Sequence, residues 1–438
     1  MNRRTFLSSS AAALAAASVS PLPAAAQGAA APKKRRYAIV GTGSRGSSMW
    51  GRGVAQKWGD TVDFVGLCDP NQARAEVVKG LIGASCPTFT DFDRMVKEAR
   101  PDLVAVTTVD AYHADYIVRA LDLGLDVISE KPMTTTEQQI QAVLDAEKRN
   151  GRKIIVGHNM RFAPAHVRIK ELMMTAPVGP IRSVDFHWYL DTSHGTDYFR
   201  RWHGIKAKSG SLWVHKATHH FDFMNWLLEA EPVQVQAYGG IKRYGSAGPF
   251  RSTNCRPCPH KGECKFYWDM TKSASAMALY GKVEHVDGYL RDACVFRPEI
   301  TTYDTMTATV KYTNDVIMSY SLNAYMPIEG YAIAFNGDFG RVEIRDYAKQ
   351  PFEVPSEMEV HVIKAFGTRS KVDVPTSEGE HGGGDDVLRD LIFRGREVPA
   401  HLALPGSRAG AMSCLTGIAA RRSCEENRPI TISDLVRL

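Results

Sequence analysis

Three groups of residues in this chain have the types and spacing to do chemistry. The first is Gly41-Thr42-Gly43-Ser44-Arg45-Gly46, a G-x-G-x-x-G run that follows the apolar segment Tyr37-Ala38-Ile39-Val40. In such a run the first glycine permits a tight turn, the second lets backbone approach a pyrophosphate, and the third lets helix and strand pack closely. Asp69 closes the next apolar segment 23 residues after Gly46, where its carboxylate can accept from ribose hydroxyls. That charge repels a 2′-phosphate, so NAD is expected over NADP, held by Gly41, Gly43, Ser44, Arg45, Gly46 and Asp69.

The second group is His215, His219 and Asp222, spaced i, i+4 and i+7 on one face of one expected helix. A neutral imidazole there can take a proton from a substrate hydroxyl. The trio could also hold a metal, although it lacks the glutamate of a His-Glu-x-x-His helix, or form a hydrogen-bonded core cluster. Trp188, Tyr189, Tyr198, Trp202 and His203 lie upstream; their faces and polar tips suit a sugar ring or an aromatic core. The third group is Cys255, Cys258 and Cys264, in an insert over 251–296. With Cys294 or His260 as a fourth ligand it reads as a structural zinc site, and in an oxidising compartment equally as disulfides.

Positioning these groups falls to alternating segments. Residues 62–69, 103–108, 125–129 and 153–157 are apolar, while 72–82, 111–123 and 136–149 have helical character. That rhythm implies right-handed βαβ crossovers and a doubly wound parallel sheet. Beyond it, 181–190, 305–312, 316–323 and 332–336 alternate polar and apolar residues, as strands of an open mixed or antiparallel sheet do. The expected fold is α/β: a Rossmann domain over 33–157, then an α+β substrate and oligomerisation domain over 158–438. Its last helix, 414–426, is expected to return to the Rossmann domain.

Glu130-Lys131-Pro132 resembles the signature of the Gfo/Idh/MocA oxidoreductase family. Thr108-Val109-Asp110-Ala111-Tyr112-His113 is similar to that family's Thr-Pro-Asn-x-x-His segment, with Val109 replacing proline. Residues 157–164 resemble its entry into the second domain, and 211–222 its active-site helix, usually Gly-Gly-x-Leu-x-Asp-x-x-x-His. His219 falls on the family's catalytic histidine, whereas His215 stands where aspartate is common, a departure from the Asp–His relay. The resemblance implies Lys131 beside the nicotinamide, a cis bond before Pro132, and Thr108, His113 and Glu130 along the cofactor. It further implies Asn159 and Arg161 near the substrate, and a homo-oligomer. Lys131, His215 and His219 are the catalytic candidates.

With 438 residues, 44% hydrophobic and 23% charged, the chain is long enough for two domains. Its net charge of +6, or 6 − 2 = +4 without Arg3 and Arg4, is too mild for a nucleic-acid binder. Arg3-Arg4, an Ala/Ser-rich stretch and Ala24-Ala25-Ala26 read as a twin-arginine export signal over 1–26, the apolar run falling short of the ~18 residues of a membrane span. The translocase is then a partner, the compartment periplasmic or otherwise exported, and the cofactor loaded before export and tightly held. The expected function is NAD(P)-dependent dehydrogenation of a sugar, inositol or glycoside. Two readings stand beside it: a glycoside hydrolase that cycles bound NAD through oxidation, elimination and hydride return, and a sugar-binding protein without turnover.

Overall fold

The strand–helix alternation of the first half folds into six strands: β1 (Arg35–Val40), β2 (Val62–Cys68), β3 (Thr88–Phe89), β4 (Leu103–Val106), β5 (Asp126–Ser129) and β6 (Ile154–Val156). The computed structural model describes residues 34–349, 358–376 and 379–437, so the export signal expected over 1–26 lies outside the described residues. The six strands run in the order β3-β2-β1-β4-β5-β6, and every pairing is parallel. All four residues of β4 are buried, as in a strand covered on both faces. The order reverses between β1 and β4, which places a crevice at the carboxyl ends of the strands. The helix Gln72–Ile82 starts where the Asn71 side chain accepts from the Arg74 amide and stops at Gly83 with φ 71°. Strand β3 escapes sequence reading because two residues are too short to show alternation.

The second sheet has nine strands: β7 (Ile181–Asp191), β8 (Pro232–Gly240), β9 (Thr305–Tyr312), β10 (Ile317–Met326), β11 (Glu329–Gly337), β12 (Gly340–Lys349), β13 (Glu359–Lys364), β14 (Arg369–Lys371) and β15 (Ile430–Thr431). The order is β14-β13-β12-β11-β7-β10-β9-β8-β15, mixed because β7 and β10 are parallel while the other pairs are antiparallel. Strand β9 alternates strictly, burying Met306, Ala308, Val310 and Tyr312. The helix Ser407–Glu426 begins earlier than its sequence pattern suggests. At its start Gly410 packs against Val156 and Met133; further along, the Ser423 hydroxyl accepts from the Ala237 amide of β8, so this helix ties the two sheets together. No helix among the described residues is long and apolar enough to cross a membrane.

The cysteine insert corrects one expectation. Cys255, Cys258, Cys264 and Cys294 do line one small cavity, yet all eight cysteines are free, and no group of three metal-ligating side chains among the described residues is placed to hold an ion. The structural zinc expected at Cys255, Cys258 and Cys264 is therefore not supported. The Arg200 guanidinium lies against the thiols, donating to Cys255 Sγ at 3.6 Å and to the Phe266 carbonyl, and burial raises the Cys255 and Cys264 thiol pKa values.

Candidate active site

The carboxyl ends of the parallel strands open onto a cleft of about 440 Å³ that brings together the glycine turn, Asp69, Lys131, His215 and His219. Gly41 has φ +89°, and a Cβ there would lie 2.6 Å from the Thr107 backbone. At Gly46 a Cβ would lie 2.2 Å from the Gly41 carbonyl oxygen, whereas at Gly43 the nearest atom is the Tyr280 hydroxyl at 3.6 Å. The outer glycines thus serve the turn and its packing while the middle one faces open space. This cradle fits a dinucleotide pyrophosphate.

Around the cradle the charges are paired. Asp69 accepts from the Thr42 amide at 2.7 Å, the Thr42 hydroxyl at 2.9 Å and the Asn71 amide at 2.8 Å, with Arg74 at 3.5 Å. Glu130 accepts from Arg45 Nε and Trp50 Nε1, each at 2.8 Å, and from the Lys131 amide at 3.1 Å. Burial alone would raise the Glu130 pKa; Arg45, Lys131 and Trp50 hold it below the ordinary value. His113 bridges the Pro132 and Thr108 carbonyls at 2.8 and 3.2 Å, and the Lys131–Pro132 bond is cis. Ser44 lines the cleft, and its amide donates to the Tyr280 hydroxyl at 2.9 Å.

The proton-handling groups meet in the same cleft. Lys131 Nζ donates to the His215 carbonyl at 3.0 Å, and burial pulls the lysine pKa down. His215 Nδ1 lies 2.6 Å from Asp110 Oδ2. Burial pushes Asp110 up and His215 down, so the two form a net-neutral pair with one proton between them. His219 is kept neutral by burial and by nearby Lys131, and its Nδ1 has no hydrogen-bond partner. His203 packs 4.0 Å from His215 and stacks on Trp202 at 3.7 Å, ring centroid to ring centroid.

The structure departs from the sequence reading in three places. The single helix expected through His215, His219 and Asp222 is two, Leu212–His215 and Ala217–Leu228, with Lys216 between them. The first is entered through Ser211 at φ +83°, a conformation that favours glycine. Asp222 thus parts from His215: it pairs with Arg161 Nε at 2.6 Å and lies 3.6 Å from His158. Asn159 and Arg161, expected at the substrate, are not among the residues lining the cleft; their side chains bond to Asp385 and Asp222. Asp110, Tyr280, Lys216, Arg201 and His381 line the cleft without having been singled out as site residues. Asp110 sat inside a recognised segment, whereas nothing local marks Tyr280 or His381.

Comparison with known proteins points one way. Residues 35–158 match the model "Oxidoreductase family, NAD-binding Rossmann fold" of the Gfo/Idh/MocA group, and 170–432 its "C-terminal alpha/beta domain". The Bacillus subtilis (strain 168) protein YteT is 35% identical over 429 residues, 92% of this chain and 99% of the relative. An inositol 2-dehydrogenase of Rhizobium meliloti (strain 1021) is 27% identical over 194 residues, 44% of this chain and 56% of the relative. Among solved structures, the WlbA dehydrogenase from Bordetella pertussis in complex with NADH and UDP-GlcNAcA superposes with a TM-score of 0.65 at 16% identity, covering 93% of this chain and 99% of the other. The aldose-aldose oxidoreductase from Caulobacter crescentus gives 0.61 at 18% identity, covering 91% and 100%. At those identities the structural likeness speaks for the fold.

Proposed function

The chain belongs to the Gfo/Idh/MocA family of NAD-binding oxidoreductases, and from that premise we propose that it dehydrogenates a hydroxyl carbon of a sugar, inositol or glycoside using NAD. The observation that carries this reading is the shared cleft: the glycine turn and the Lys131, His215 and His219 cluster line one cavity. Bound NAD supplies the hydride acceptor. Gly41, Gly43, Gly46, Ser44 and Thr108 shape its seat, and Arg45 is oriented by Glu130. Asp69 favours NAD over NADP in this reading, although its carboxylate oxygens are already spent on Thr42 and Asn71.

His219, neutral at pH 7, receives the hydroxyl proton, and Lys131 stabilises negative charge developing on the same oxygen. The Asp110–His215 pair holds a second proton against the cleft wall, restoring an acid–imidazole couple from a segment 105 residues away. Trp202, His203 and Tyr198 line the same cleft and offer aromatic faces against which a substrate ring can be positioned.

Purified protein, denatured without added cofactor, is expected to release NAD, and native protein to accumulate NADH with a free sugar or inositol. Aglycone release from aryl glycosides without net NADH would move the assignment to the NAD-cycling glycosidase. A protein with no bound or bindable dinucleotide would sink both enzyme readings.

A further inference from the structure

The substrate side of the cleft gathers several cations, and one of them, Lys216, has no ion-pair partner among the described residues. Lys216, half-buried at the junction of the two short-range helices, lies 4.8 Å over the Trp188 ring and forms no ion pair among the described residues. The acidic group that influences it, Glu329, is spent on the Asp191 amide at 2.7 Å and on His194 at 2.9 Å. Burial and the nearby Lys131 charge pull the Lys216 pKa to about 8, still leaving it mostly protonated at neutral pH. Lys131 has only a carbonyl partner, and Lys208 lines the cleft exposed. Arg201 shares Asp197 with Arg291, at 3.3 and 2.6 Å, and its Nε has no partner.

Against these four cations the lining offers Asp110, whose charge is suppressed by its shared proton, together with Asp69 and Asp287 beside Arg74 and Glu130 on Arg45, while Asp197 serves Arg201 and Arg291; each of these acids already has a partner other than Lys216. The cofactor's pyrophosphate does not account for them, because its seat is the glycine turn, flanked by Arg45 and Arg74. A recessed ammonium without an anion is costly, and a carboxylate arriving with the ligand removes that cost.

We propose that the substrate is an anionic sugar, a uronic acid or a glycoside bearing a carboxylate, and that Lys216 receives the carboxylate while Arg201 and Lys208 supply attractive field at the mouth. Trp202 and Tyr198 offer flat faces for the ring in the same cleft. This rests on the oxidoreductase reading of the cleft and names its substrate class.

The test uses the full-length protein with its dinucleotide bound and matched pairs that differ only in carboxylate against hydroxymethyl: glucuronate with glucose, galacturonate with galactose, and their methyl glycosides. NADH formation is followed for each, and binding is measured by calorimetry. The acidic member of at least one pair is expected to have a kcat/KM and an affinity about tenfold or more above its neutral partner. Lys216→Met is expected to collapse that ratio, mainly through KM, and Lys216→Arg to recover part of it. Equal or better use of the neutral partners overturns the proposal and leaves the oxidoreductase reading standing, as does a ratio that Lys216→Met does not change. Neither binding nor turnover of any member overturns both.

Discussion

Single side chains divide into those that build the cleft and those that act in it. Because a Cβ on Gly46 would strike the Gly41 carbonyl and one on Gly43 would meet only the Tyr280 hydroxyl at 3.6 Å, their alanine variants should behave differently. With NAD stripped from all three proteins, Gly43→Ala should keep the wild-type melting temperature yet fail to rebind NAD, whereas Gly46→Ala should melt lower than the stripped wild type; equal losses in the stripped proteins would contradict this division. His219→Gln and Lys131→Met should each reduce kcat by about 10²- to 10⁴-fold with the fold intact by circular dichroism. Since burial holds the His219 pKa well below 6.5, the neutral base persists on mild acidification, and the acid limb of the kcat/KM profile should lie below pH 6.5. A limb centred at or above 6.5 would reassign the base. The glycine run and Lys131 were legible because each depends on local spacing. Asp110's role was not, because its partner is 105 residues away.

Among the elements, the insert over 251–296 does more than close its own cysteine cluster. Its residues reach the helix that follows β2 in the Rossmann domain: Arg74 donates to the Leu279 carbonyl at 3.0 Å and to Asp287 at 2.7 Å, and Asn71 to the Val283 carbonyl at 2.9 Å. With Tyr280 at the Ser44 amide, the insert forms a strap over the dinucleotide seat. Asp287→Ala should loosen it and speed release of bound NAD roughly three- to tenfold, the cost of one or two hydrogen bonds, as read from the dissociation time course after dilution. An unchanged release rate would make the strap purely architectural. The helical segment read over 72–82 matches the observed helix, which Asn71 caps and Gly83 ends, whereas the helix Phe92–Ala99 was not read. Nor was the split at Lys216, since both halves keep the helical period.

At the scale of the whole molecule, buried imidazoles couple folding to pH. Burial lowers His158 and His166 to about 4, so below pH 6.5 the unfolded chain binds protons that the folded chain refuses. Stability should therefore fall as pH drops from 6.5 towards 4, by up to about 1.4 kcal/mol per pH unit for each such histidine. A melting temperature that stays flat from pH 7 to 5 would count against their burial as neutral rings. The same scale holds the export proposal: Arg3→Lys with Arg4→Lys should leave the protein in the cytoplasm, as judged by cell fractionation, if the twin-arginine route carries it. The glycine turn, the strand–helix rhythm and the Glu130-Lys131-Pro132 segment were readable from residue order, because these requirements are met within a few residues of one another. Which charges meet was fixed by folding. It joined Asp110 to His215, bonded Asn159 and Arg161 to Asp385 and Asp222, denied the cysteines a metal geometry and left Lys216 without an anion, since burial and pairing across distant segments are properties of packing.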